Sequence, residues 1–170
     1  MGLINQMLTD FFTKGFYTEI LSYNFASEFD SYNFLDCNKV EDLNIDTATQ
    51  NRLDEIHQML ADNYVSQIYP EFRLMNNGMW HGVDEGSAVY HNDVEDGDAF
   101  NSNILVYIDD NTVYNNCIMI TDGVDEHVVQ PVPNQMVWLN QSPGFKHKAV
   151  HNSGPRRLLS FEFFINGLNN

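Results

Sequence analysis

The chain of 170 residues is poor in cysteine, in positive charge and in long apolar runs, and each shortage closes off a class of protein. Its two cysteines, Cys37 and Cys117, stand far apart in unrelated contexts, which excludes a disulfide-stapled scaffold. Both are expected as free thiols in a reducing compartment, with Cys117, in Cys117-Ile118-Met119-Ile120, buried on a strand. Eight Lys and Arg against 24 Asp and Glu give a net charge of −16. Such a surface repels phosphate backbones and anionic lipid, so neither nucleic acid nor a membrane is expected as a partner. No apolar stretch reaches spanning length, and Met1-Gly2-Leu3-Ile4-Asn5 has no basic segment leading into an apolar one. Gln6 stands where a myristoylation signal needs Ser or Thr. A cytoplasmic protein is expected. Repeats, low-complexity tracts and linkers are missing too, so residues 1–170 are expected to form one domain.

What is present suffices for a real core, with 43% hydrophobic and 13% aromatic residues. Asp46-Thr47-Ala48-Thr49 reads as a helix start, and Leu53, Ile56, Leu60 and Tyr64 recur at helical spacing through about Val65. The aromatic segment from Phe16 to Phe25 is read as an earlier helix. From about Ile68 the period changes to two, with strands expected at 69–75, 78–83, 86–92, 103–109, 117–121, 126–131, 135–140, 145–151 and 156–165. Asp-Gly, Pro-Asn, Pro-Gly and Gly-Pro punctuate them. Short strands of this kind imply an antiparallel β-sandwich or jelly roll, and helices first with strands later suit an α+β chain whose helices cover one sheet face.

Four residues in the second half carry the chemistry: His91 and Asp93 in His91-Asn92-Asp93, then His147, then Arg157. Gly86 to His91 reads as extended, and residues i and i+2 of a strand point to one face, so His91 and Asp93 can converge on one metal. Two histidines and a carboxylate are the set that holds a non-heme iron(II) on one side and leaves the other open. His147 lies on the strand opened by Pro143-Gly144, and Gly154-Pro155 turns the chain into a second strand carrying the arginine. There Arg157, Leu159, Phe161 and Phe163 share a face, which makes Arg157 the one charge on an apolar wall, ready to hold a ligand carboxylate in bidentate fashion.

These residues resemble the iron(II)- and 2-oxoglutarate-dependent dioxygenases, of the prolyl hydroxylase type, over about residues 68–166. That family has His-x-Asp, a distal His and a basic residue nine or ten positions beyond it. Here Arg156 follows His147 by nine and Arg157 by ten. Both spacings occur in the family, and Arg157 is favoured because Ser160 and Phe163-Phe164 suit its register. The family also places a tyrosine on the strand after His-x-Asp, and Tyr107 in Asn103-Ile104-Leu105-Val106-Tyr107 occupies that position.

The resemblance implies a mainly β, α+β fold, the double-stranded β-helix or jelly roll, with supporting helices in about residues 1–66 and the β-helix core in about 68–166. It implies Fe(II) on His91, Asp93 and His147, and 2-oxoglutarate gripped at its far end by Arg157 and Tyr107. It also implies O2 as oxidant, ascorbate as a supporting reductant, and hydroxylation of a substrate C–H with release of succinate and CO2. The substrate is a peptide or small molecule, with a peptidyl proline the leading candidate and a free amino acid or metabolite the alternative. A non-catalytic, cupin-like binding module is the rival from another class, though it has no need of a dicarboxylate clamp.

The remaining features have plainer readings. His151 shares its parity with His147 and is kept as an alternative ligand. His81 is expected as a polar strand residue, His57 as structural on its helix, and His127 in an acidic turn region. Lys146 and Lys148 are expected to point outward beside an inward His147. The acidic loop from Asp93 to Phe100 is expected as a solvated loop, with a lid over the site as the sharper alternative.

Overall fold

In a computed structural model, residues 3–36, 45–83, 88–92 and 100–165 are described. Asp46 starts the longest helix as expected: its carboxylate accepts from the backbone N–H groups of Ala48 and Thr49 at 2.9 and 3.0 Å, satisfying donors that the first turn leaves open. The N-terminal segment differs from expectation. A helix α1, Leu3–Lys14, ends at Gly15, whose φ of +81° glycine adopts without strain. Phe16–Ile20 is then a strand, β1, and a helix α2 covers only Phe25–Phe29. The aromatic run from 16 to 25 becomes a strand because its first residues pair with another strand, Phe16 lying opposite Leu139 and Ile20 opposite Gln135.

A short β2, Leu35–Asp36, precedes the long helix α3, Thr47–Asn63, and a 3-10 turn at Val65–Gln67 follows it. The two strands expected at 69–75 and 78–83 are one strand, β3, Phe72–His81, interrupted by a register shift between Leu74 and Asn77. Then come β4 Phe100–Tyr107, β5 Cys117–Thr121, β6 Glu126–Val129, β7 Gln135–Asn140, β8 Lys146–Val150 and β9 Arg157–Ile165. The expected strand 86–92 is not found among the described residues: 88–90 turn and bend, and His91 makes a single bridge.

The strands form two sheets, one in the order β1-β7-β4-β9-β3-β2 and one in the order β6-β5-β8. One face of the larger sheet is covered by helices, with Phe11 of α1 and Leu53, Ile56 and Leu60 of α3 packed on Trp138, Val106, Leu159, Phe161 and Phe163. Its other face meets the small sheet, enclosing Leu105, Tyr107, Ile118, Ile120, Val137, Leu139 and Leu158. β9 therefore lies between two layers, with Leu159, Phe161 and Phe163 on the helix side and Leu158, Ser160 and Glu162 on the side of the small sheet. Cys117 is a buried free thiol on β5. Among the described residues no helix is long and apolar enough to cross a membrane.

Candidate active site

On the small sheet His147 pairs with Ile120 and Ala149 with Ile118, and both isoleucines belong to the interior, so His147 faces inward. Lys146 and Lys148 alternate to the other side, where Lys148 Nζ lies 4.2 Å from the Tyr90 ring centre. His91 joins this sheet through one antiparallel bridge to His147, with mutual N–H to O distances of 2.9 and 2.8 Å. Paired residues of a bridge share a face, and the two imidazoles stand 4.4 Å apart between ring centres. His91 Nδ1 is 2.7 Å from the carbonyl oxygen of Val89. A carbonyl can only accept, so Nδ1 carries the proton and Nε2 keeps the lone pair a metal needs.

Asp93 and the acidic loop through residue 99 lie outside the described residues. Among the described residues no three His, Cys, Asp or Glu side chains gather as a metal site; of the three expected ligands, His91 and His147 are brought together.

The second cluster revises the assignment of the arginines. Arg156, only 4% exposed, reaches the interior and donates from Nη1 to the Gly82 carbonyl at 2.8 Å and from Nη2 to the Tyr107 hydroxyl at 3.3 Å. Its Nε is buried without a hydrogen-bond partner, and no carboxylate among the described residues pairs with it. Burial pushes the Tyr107 phenol up, with the neighbouring Arg156 charge pulling the other way, so the hydroxyl stays protonated and can donate.

Arg157 points to the opposite side. Its Nε and Nη2 donate to Asp109 at 3.0 and 2.7 Å, its backbone N–H donates to the same carboxylate at 2.6 Å, and Nη1 and Nη2 reach Asp30 at 2.9 and 3.1 Å. The expectation that Arg157 faces Tyr107 is thus corrected. Arg157, Leu159, Phe161 and Phe163 do share a face, but that face packs on the helices, while Leu158 and Arg156 face the space between the sheets. With both faces of β9 covered by a layer, parity alone cannot say which one encloses a ligand. The signal that could have decided it is Asp109, two residues after Tyr107 and available to bind one of the arginines.

The other histidines divide. His57 is buried on α3 with Nε2 2.9 Å from the Glu162 carbonyl oxygen, and His81 ends β3 in an exposed position. His151 contacts the Gly154 carbonyl at 2.8 Å. His127 is not in a turn: it lies on β6 opposite Ile120, with its ring 5.5 Å from that of Phe16. His127, Ile120, His147 and His91 consequently form one cross-strand row.

Two largely antiparallel sheets closed on an apolar interior, with helices on the outer face of the larger, are the double-stranded β-helix found in iron- and 2-oxoglutarate-dependent oxygenases. Solved structures share it along most of the chain. A prolyl hydroxylase from Trichoplax adhaerens, in complex with a peptide fragment of the hypoxia inducible factor oxygen degradation domain, is 11% identical with a TM-score of 0.68, covering 96% of this chain and 89% of that one. A prolyl-4-hydroxylase from Pseudomonas putida is 14% identical with a TM-score of 0.59, covering 96% and 99%. HygX from Streptomyces hygroscopicus, with nickel, 2-oxoglutarate and hygromycin B bound, is 15% identical with a TM-score of 0.64, covering 98% and 88%. No protein-family model and no curated protein sequence matches the chain, so the likeness is one of fold.

Proposed function

We propose that the protein is an Fe(II)- and 2-oxoglutarate-dependent oxygenase that hydroxylates a substrate C–H. The observation that carries this reading is the pairing, in one interior, of two facing imidazoles with a buried arginine whose Nε has no partner. A buried guanidinium in that state is costly unless a ligand carboxylate completes it. In the proposal His91, His147 and Asp93 hold the metal, and Arg156 with Tyr107 takes the far carboxylate of 2-oxoglutarate, in the place first expected for Arg157. A binding module of the cupin kind leaves that arginine unexplained.

When bound, iron supplies the activation of O2 that couples oxidation of a substrate C–H to cleavage of 2-oxoglutarate into succinate and CO2. The chain's own residues position and protect. The Val89 carbonyl holds the His91 ring in the tautomer that presents Nε2, Arg156 Nε and the Tyr107 hydroxyl supply two donors to one carboxylate, and Leu105, Ile118 and Val137 keep water from the interior.

The likeness to prolyl hydroxylases keeps a peptidyl proline as a candidate substrate, and the likeness to HygX keeps a small molecule. The test is succinate formation with iron(II), ascorbate and 2-oxoglutarate in the wild type and in His147→Ala, together with anaerobic metal titration of both. Loss of turnover and of metal affinity in the variant is expected. Wild-type metal occupancy in His147→Ala would sink the assignment.

A further inference from the structure

The inward side of β9 carries a charge near each end. Arg156 stands just before the strand, and Leu158, Ser160 and Glu162 follow it on the same parity. Register places Glu162 inward: it lies opposite Asn103, Asn103 opposite Leu139 and Leu139 opposite Phe16, and both Leu139 and Phe16 pack between the sheets. Asn76 donates from Nδ2 to Glu162 Oε2 at 3.1 Å.

This row of the larger sheet meets the histidine row of the smaller one, because Phe16 stacks against His127 and His127 aligns through Ile120 with His147 and His91. Tyr107 sits further along, opposite Leu158, on the way to Arg156. The interior is therefore polarised along the strands, with a guanidinium at the far end and a carboxylate at the level of the histidines.

The six residue steps from Arg156 to Glu162 span about 20 Å, too far for one 2-oxoglutarate to touch both, and a dianion gains nothing from a carboxylate. What a carboxylate at that end can attract is positive charge on the other reactant. Resting on the oxygenase reading above, we infer that Glu162 recognises a cationic nitrogen of the substrate, an ammonium or a guanidinium, and so sets the neighbouring C–H against the histidine row. A lysine or arginine side chain of a peptide and a small-molecule amine share this chemistry.

The test loads the protein with manganese(II) and 2-oxoglutarate without oxygen, then titrates matched probes by calorimetry. One pair is N-acetyl-lysine amide against N-acetyl-norleucine amide. The other sets the same two residues beside proline in a short blocked peptide. The cationic member of at least one pair is expected to bind about tenfold to a hundredfold tighter, the range for a hydrogen bond to a charged group, and the pair that shows it identifies the source of the nitrogen. Glu162→Asp should keep the preference and Glu162→Gln should lose it. Thermal melting verifies that both variants are folded, and 2-oxoglutarate affinity should not fall in Glu162→Gln, since removing a negative charge cannot repel an anion. Equal binding within both pairs by the wild type, or a preference that survives in Glu162→Gln, overturns the inference. Failure of the wild type to take up 2-oxoglutarate would instead overturn the oxygenase reading, and this inference with it.

Discussion

At the scale of single residues, Arg156 and Arg157 are neighbours with opposite surroundings. Arg156 has a buried Nε with no partner, whereas Arg157 satisfies its donors on Asp109 and Asp30. Removing one partner of a buried charge-assisted contact costs on the order of 2 to 5 kcal/mol, so Arg156→Ala should weaken 2-oxoglutarate binding by a factor of tens or more. Arg157→Ala should leave it within a few-fold, because its guanidinium lies on the other side of the strand. Arg156→Lys should rescue only part of the affinity, since an ammonium offers a point charge in place of a planar fork. Calorimetric titration of 2-oxoglutarate into the three variants checks the ranking, and the reverse order would return the role to Arg157.

At the scale of elements, β9 is held at its start by Asp109, which accepts from both the backbone and the side chain of Arg157. A strand that slips by one residue exchanges its faces, and here a slip would carry Arg157 inward and Arg156 out. Asp109→Ala should therefore lower stability by on the order of 2 kcal/mol, and 2-oxoglutarate affinity should fall with it although Asp109 faces away from the site. Chemical denaturation and calorimetry measure the two effects. The middle of β9 is tied to α3 by His57, whose Nε2 meets the Glu162 carbonyl while Asn77 Nδ2 lies 3.4 Å from Nδ1. Burial holds the imidazole below its ordinary value of 6.5, against the opposing pull of the Glu162 carbonyl and the nearby Asp54. The unfolded chain then takes up a proton near pH 6.5 that the folded chain does not, so stability falls as pH drops below about 6.5. Melting temperatures from pH 7.5 to 5.5 should show that slope, and His57→Gln should reduce it.

At the scale of the whole molecule, the net charge of −16 bears on encounter more than on fold. Four of the eight cations, Lys146, Lys148, Arg156 and Arg157, fall within twelve positions, but of these four only Arg156 turns to the interior, so the positive charge they offer an anionic cosubstrate there is that one guanidinium. The acidic remainder should speed the approach of basic ligands and repel polyanions. Both effects should fade above roughly 0.15 M salt, where the Debye length is about 8 Å. Stopped-flow association rates for a lysine-rich peptide, compared at low and high salt, test this directly. Affinity for 2-oxoglutarate should respond less, because Arg156 and Tyr107 are buried and salt screens them weakly.

What the sequence determined by itself was whatever local pattern can encode. The cap at Asp46 and the spacing of Leu53, Ile56 and Leu60 specify α3, and the change to a two-residue period marks the strands from β3 onward. Tyr107 and the order of histidines and arginines suggested the oxygenase reading. Tertiary structure alone decided the rest. Phe16 to Ile20 became a strand because β7 offered it a partner, and the pairing of Tyr17 with Trp138, 121 residues further on, is invisible to any local window. Which arginine enters the interior was settled by where α3 and the small sheet pack on β9. Alternation divides a strand into two faces, but when both are covered, only the layers placed against them determine which face is the inside.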